Sequence, residues 1–517
     1  MKKKINHILP ALVLTASLGL TTVSCNGFLD EMPDNRTELN TDQKIAKLLV
    51  SAYADVSPNE LFELYSDNSD DSGPTYGYYK LSEQECYHWQ DTKEEYQDTP
   101  NSLWGGYYSA IAAANMALNA IEEKGNPASL DPQRGEALVC RAYCHFMLAN
   151  IFCNAYDTHA SQSLGVPYME EVETTVSPRY ERGTLEEVYR KVERDLLEGI
   201  DLISDDSYSV PKYHFTRKAA YAFAARFYLY YMKPDFSNCD RVIDFATRVL
   251  GTNPADLLRN WEALGNLSVN GNVQADAYIA SSNEANLLIS STVSNWGAIG
   301  SDYLIGPRYF HNQTLATSET CLSSGLWGSS DYFYLKPFST NGFVASILRK
   351  SGLYEGTYLY YMPVLFSTDE TLLCRAEAYA LKKMYAQSAA DITSWQRAYT
   401  RNKSVLTPEQ INTYYDKMSF YTPFTQQTPK KKLASDFTIE EGMQENFIHC
   451  ILHIRRITTL HEGMRWPDIK RYGILIYRRD MANQRVTDEM PPNDLRYAIQ
   501  IPRSVIVAGI QPNPRRN

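Results

Sequence analysis

The residues best suited to touch a ligand are aromatic rings in stretches that do not read as helix. Tyr87, Trp89 and Tyr96 fall in a loop-like segment ahead of the first long helical stretch. Trp296, Tyr303, Trp327 and Tyr332 fall in a later segment dense in Gly, Ser and Asn. Large rings on loops held by a rigid scaffold are a recurrent way of building a binding surface. Tyrosine adds a hydroxyl to an apolar face, which suits a polar ligand. The chain holds 38 tyrosines against 18 phenylalanines, so this side chain is in unusual supply.

Other chemistry reads more weakly. Asn68, Asp70 and Ser72, with Gly73, imitate the opening of a calcium-binding loop. The twelfth position is Tyr79 rather than the bidentate Glu that calcium needs, so the segment reads as a solvated turn; a calcium site there would need ligands from elsewhere. Glu445, His449 and His453 recur at i, i+4 and, without a second ligand cluster, read as one face of a helix. Lys430–Lys432 reads as a solvated loop. No phosphate-binding glycine loop follows a strand, and no pattern singles out an acid/base pair, so neither enzymatic activity nor a cofactor is expected.

These rings need a scaffold, and the apolar periodicity supplies one. In 134–156 the residues Ala137, Cys140, Cys144, Leu148 and Ile151 share one face of a helix built largely from small side chains. The same character returns at 216–232 and 369–385, each time beside another amphipathic stretch. Recurrence of an Ala/aromatic helix next to a partner is the pattern of stacked helical hairpins of the tetratricopeptide kind. About four are expected: 103–123 with 134–156, a helix opening at the Thr184/Glu187 capping box with 216–232, a third opening at 238–250, and 369–385 with 387–402. The fold class is therefore mainly α, with a loop-rich insertion, residues 251–368, between repeats as the candidate ligand subdomain. Residues 42–250 make the N-terminal helical region, and 369–517 the last hairpin and C-terminal segment.

The N-terminus has its own logic. Lys2, Lys3 and Lys4 precede an apolar run, Leu9–Val23, too short to span a bilayer. Small residues then lead directly into Cys25, as at a bacterial lipoprotein cleavage site. Residues 1–24 read as a signal peptide, Cys25 as the lipidated residue and 25–41 as a tether that anchors without spanning. The other eight cysteines form no CxxC pair or zinc spacing; a single bridge stays open, a disulfide framework does not. The formal charge of −11 excludes the cationic footprint of a nucleic-acid binder.

Several separated motifs then converge on one family. Cys25 is followed by Phe28-Leu29-Asp30 and Pro33. Trp104, Tyr107, Tyr108, Ile111 and Asn115 mark one helix. Glu462, Gly463, Arg465, Trp466 and Asp468 make an EG.RW.D segment, and the chain closes on Ile501-Pro502 and Asn513-Pro514. In order and spacing this resembles the SusD/RagB family of outer-membrane nutrient-binding lipoproteins of Bacteroidetes. Arg455 fits a further family run, whereas Ile454 and Thr458 stand where glutamates are common.

The resemblance implies tetratricopeptide-like hairpins with a loop subdomain and an outer-membrane, lipid-anchored location facing the exterior. It also implies a SusC-like TonB-dependent transporter as partner, and a glycan as ligand. A RagB-like oligopeptide ligand is the alternative. Under this reading the seven rings named first would stack on the C–H faces of sugars, while the EG.RW.D residues are architectural, with Arg465 and Asp468 pairing with each other or with loops.

Overall fold

Two glycines set the closest approach in the helical spine. A Cβ on Gly135 would lie 2.8 Å from Gly199 O, and one on Gly199 would lie 2.6 Å from Val139 Cγ2 and 2.8 Å from Gly135 O. Helix α5 (Asp131–Phe152) and helix α6 (Leu185–Leu202) therefore touch backbone to backbone at this crossing. Helix α4 (Pro100–Glu123) covers the other side of α5. The structure is a computed structural model and describes residues 39–75, 79–175, 179–268, 273–296, 308–322, 324–335, 352–355, 358–480 and 483–515. The signal peptide, Cys25, nearly all of the tether and Tyr303 lie outside the described residues.

The helix boundaries follow their caps. Thr184 accepts from Glu187 N while Glu187 Oε2 accepts from Thr184 N, so the capping box opens α6 as expected. Helix α7 (Arg217–Tyr230) opens on Thr216, whose hydroxyl accepts from Ala219 N. Helix α8 (Asn238–Leu250) ends at Gly251, at φ 64°. The pairing differs from the expected hairpins at one point: α7 packs mainly along α8 rather than α6. On its other flank α8 meets helix α12 (Thr368–Leu381), across the whole insertion, and α12 pairs with α13 (Tyr385–Tyr399). Sequence adjacency suggests α6 with α7; the aromatic face of α7 instead fits the amphipathic α8, where Tyr228 stacks on Phe245 at 5.9 Å.

Two short helices, α1 (Asp42–Leu49) and α2 (Asn59–Tyr65), precede this stack, with α3 (Leu81–Tyr87) just before α4. Helices α9 (Trp261–Gly265), α10 (Val273–Ile279) and α11 (Gln313–Leu315) belong to the insertion. Beyond α13 come α14 (Pro408–Lys417), α15 (Met443–Thr458) and α16 (Arg465–Tyr472).

Strands are short. From the insertion, β2 (Asn286–Ile289) pairs antiparallel with β7 (Val364–Ser367), and β6 (Tyr358–Tyr361) pairs with both β3 (Thr292–Val293) and β5 (Gly352–Glu355). Near the C-terminus β8 (Ile476–Asp480) and β9 (Arg485–Met490) form a hairpin. The remaining pair joins distant parts of the chain: β1 (Asp70–Asp71) lies antiparallel to β4 (Tyr309–Phe310), Asp71 opposite Tyr309. The three segments 42–250, 251–368 and 369–517 all lie in one compact unit, Thr41–Asn517.

Buried ion pairs bind that unit together. Asp67 receives both arms of Arg465 at 2.7 and 2.9 Å and Lys431 Nζ at 2.6 Å, while Arg456 donates to Asp67 O and, at 2.8 Å, to Glu319. Asp468 takes Arg471 at 2.7 Å and Arg455 at 3.2 Å, and Arg471 also bridges Glu377 at 2.9 Å. The EG.RW.D segment is thus architectural. Arg465 pairs with a loop residue and Asp468 with neighbouring arginines. The alternative pairing of Arg465 with Asp468 is not the one formed.

Lys430–Lys432 corrects another expectation. Lys430 and Lys431 are buried, Lys430 donating to Tyr415 O and Asn446 Oδ1. Two partners more than a hundred positions from Lys431, Asp67 and Glu319, turn an apparent solvated run into core. Glu445, His449 and His453 do share a helix, α15, but His449 and His453 are buried, and His453 is committed to Tyr415 OH and Thr320 O. The eight described cysteines are free and buried.

Candidate functional site

The β1–β4 pairing brings the segment before the first hairpin against the insertion. Those are the two regions that carry the candidate rings. Ser72 N donates to Arg308 O at 2.9 Å, extending the pairing by one residue. Arg308 then turns its guanidinium onto Asp71, with Nε and an Nη each 2.8 Å from a carboxylate oxygen. The same guanidinium lies 5.1 Å from the ring centroids of both Tyr79 and Tyr309. Bidentate pairing and ring contact together fix a side chain that is otherwise long and mobile.

Below this layer the support is rigid. Tyr309 stacks on Tyr87 at 4.6 Å and 24°, and Tyr87 OH accepts from Asp71 N and donates to Asp70. The guanidinium of Arg478, on β8, packs 4.2 Å from the Tyr87 ring and 4.1 Å from Trp89. It donates to Tyr87 O and to the carbonyls of Leu64, Tyr65 and Ser66 at the end of α2. Burial outweighs the raising effect of Tyr87 and the more distant Asp70, and lowers Arg478 to about 10. Trp89, at φ 53°, donates its indole N–H to Tyr65 O at 2.8 Å.

Two exposed tyrosines flank the support. Tyr79 is 37 % exposed and touches Tyr309 edge-on at 5.8 Å. Tyr96 is equally exposed; its hydroxyl donates to Glu94 at 2.5 Å, lies 3.0 Å from Ser82 Oγ, and its ring meets Lys80 Nζ at 5.8 Å. Partial burial, then the bond to Glu94, push its phenol up to about 12. The patch thus offers two half-open aromatic faces, an arginine–aspartate pair and a lysine. It can stack a planar or C–H-rich face and hydrogen-bond hydroxyls or amides.

The six described candidate rings do not gather in one place. Tyr87 and Trp89 are buried as the floor just described. Trp296 is buried against His461, donating to its carbonyl at 2.9 Å. Trp327 is buried among Phe333, Trp395 and His453. Tyr332 is 43 % exposed, beside Gly328, and its carbonyl accepts from Arg401 N at 2.7 Å. Four of the rings therefore hold loops onto the core, and Tyr96 and Tyr332 present faces. Sequence reasoning does not single out Tyr79, Arg308 and Asp71 as binding residues. The Tyr-rich run around Tyr79 is the available signal, whereas Arg308 depends on a pairing across more than two hundred residues.

Asn68 and Asp70 face cations already. Asn68 donates to Glu63 and accepts from Arg456 at 2.7 Å, and Asp70 accepts from Arg479. Guanidinium groups at those oxygens oppose a divalent ion. Among the described residues no group of three His, Cys, Asp or Glu side chains is placed to hold a metal.

A SusD-like family model, described as "Starch-binding associating with outer membrane", matches residues 27–229. Among solved structures, a SusD superfamily protein from Bacteroides fragilis aligns over 91% of this chain and 98% of its own, with TM-score 0.63 and 16% identity. A SusD-like carbohydrate binding protein from Bacteroides vulgatus aligns over 90% and 96%, with TM-score 0.62 and 14% identity. A SusD superfamily protein from Bacteroides thetaiotaomicron gives 91% and 98%, TM-score 0.60 and 18% identity. No protein with a curated description matches. The resemblance read from the scattered motifs is borne out, and so is the mainly helical fold class.

Proposed function

We propose that this chain, SusD-like in fold and matched over residues 27–229 by a SusD-like family model, is a cell-surface lipoprotein that binds glycan and passes it to a SusC-like TonB-dependent transporter. Anchoring through lipid on Cys25 would place it on the outer leaflet of the outer membrane. The observation that carries the binding half is the β1–β4 junction. It sets Arg308, clamped on Asp71, against the rings of Tyr79 and Tyr309, with Tyr79 exposed.

Sugar rings present C–H faces to aromatic rings and hydroxyls to charged and amide groups, and this patch supplies both. Its few contacts predict modest affinity for soluble oligosaccharides, because polar groups must shed water to bind.

Mature protein titrated by calorimetry against a panel of oligosaccharides and a panel of oligopeptides tests the reading. Binding to at least one glycan, weakened by Tyr79→Ala and Arg308→Ala, is expected. Binding confined to peptides would move the assignment to the oligopeptide-binding branch. Transporter delivery is tested separately by co-purification with the barrel from outer membranes.

A further inference from the structure

A second cleft, sharing no residue with the patch above, lies where α5 and α7 end against α16. It has a volume of about 310 Å³, at the small end for a ligand site. The buried Phe437 and Tyr497 line it, and Asn154, Asp157 and Lys470 contribute polar groups. Across Tyr156, Asp157 and Pro234 it continues into a depression of about 340 Å³ that adds Glu186, Lys233 and Asp235. Tyr156 is half-buried and lines both compartments.

An independent observation points to an occupant. Four residues lining the first compartment carry buried polar atoms with no hydrogen-bond partner: Asn154 Oδ1, Tyr230 OH, Arg471 Nε and Tyr497 OH. A buried polar atom left unpaired is costly, so four around one cavity call for an explanation. Lys470, also lining it, commits two of its three N–H groups, to Asn150 O and Cys153 O.

We infer that this two-compartment cleft is a second saccharide site, taking two successive sugar rings with Tyr156 between them. Donors and acceptors are mixed along the walls, which suits hydroxyls, each of which both gives and accepts. The half-buried ring of Tyr156, shared by both compartments, suits pyranose C–H faces. The inference rests on the proposed glycan-binding role for the class of ligand, and on the cleft alone for the place.

Saturation-transfer NMR on mature protein with maltose, cellobiose, lactose and diacetylchitobiose, each beside its monosaccharide, tests it. At least one disaccharide is expected to bind more tightly than its monosaccharide and to lose about tenfold on Tyr156→Ala. Tyr497→Phe deletes a hydroxyl without an internal partner. It should therefore leave the thermal midpoint unchanged or higher while weakening the disaccharide several-fold.

No saturation transfer from any disaccharide, or transfer indifferent to both substitutions, overturns the inference. Glycan binding lost only on Tyr79→Ala and Arg308→Ala would leave the first reading standing and remove this one. Disaccharide binding lost only on the cleft substitutions would do the reverse.

Discussion

Arg465 and Asp67, 398 positions apart, form a buried bidentate ion pair at 2.7 and 2.9 Å. It fastens the EG.RW.D segment to the turn after α2, and so holds the base on which β1 and the candidate site rest. Arg456 and Lys431 converge on the same carboxylate. Asp67→Asn would leave three buried cations around one neutral amide. A loss of roughly 3–5 kcal/mol in a urea denaturation series is expected, the range for breaking a buried pair from one side.

The same site makes an acid-side prediction. Burial would raise the Asp67 carboxyl, but Arg456, Arg465 and Lys431 override it and hold the group well below the usual range. A depressed carboxylate stabilises the fold above its unfolded pKa of about 3.9 and loses that contribution as pH falls through the folded value. The thermal midpoint should therefore drop below pH 4 more steeply in wild type than in Asp67→Asn, read by circular dichroism across pH 2–6.

A different carboxylate group runs the other way. Glu60, Glu83 and Asp98 are buried around Lys80, which lies 3.9 Å from Glu60 and 3.6 Å from Glu83. Burial first, and then mutual repulsion between Glu60 and Asp98, raises Glu60 well above its ordinary value. A raised carboxyl gives stability that is present at low pH and lost as pH rises through the folded pKa. Glu60→Gln, which cannot ionise, should match wild type near pH 5 and exceed it at pH 8 in thermal midpoint. Equal midpoints at both pH values would refute this account.

How much of this is legible in the sequence depends on the range of the interaction that decides it. The helices are readable because periodicity, caps such as Thr184/Glu187 and the Gly251 stop are local. The pairing of α7 with α8 is not, because choosing a neighbour depends on side-chain fit rather than order. The buried Lys430 and Lys431 look solvated because the partners of Lys431, Asp67 and Glu319, are remote in sequence. Likewise Tyr87 and Trp89 are recognisable as unusual rings, but their burial follows from Arg478, nearly four hundred residues on.

The α5–α6 crossing gives a paired test. Gly199→Ala places a methyl 2.6 Å from Val139 Cγ2 and 2.8 Å from Gly135 O, so the two helices must separate. A loss of about 1–3 kcal/mol is expected, as for overpacking. Gly105, exposed on α4, has nothing within 4 Å of the position a methyl would take. Gly105→Ala should gain about 0.5–1 kcal/mol from helix propensity alone.

Exposure separates rings that hold the fold from rings free to bind. Trp327 is 1 % exposed and packs on Trp395, Phe333 and His453, so Trp327→Ala removes a large core side chain. It should cost about 3–5 kcal/mol in denaturation whatever it does to binding. Tyr96 is 37 % exposed, its hydroxyl bonded to Glu94 and Ser82 and its ring 5.8 Å from Lys80 Nζ. Tyr96→Ala should leave the denaturation midpoint within about 0.5 kcal/mol of wild type, as is usual for surface positions. If Tyr96 belongs to the sugar-contacting face, the same substitution weakens the best glycan of the calorimetric panel several-fold. A Tyr96→Ala protein that is equally stable and binds that glycan undiminished would confine the contact surface to Tyr79 and Arg308.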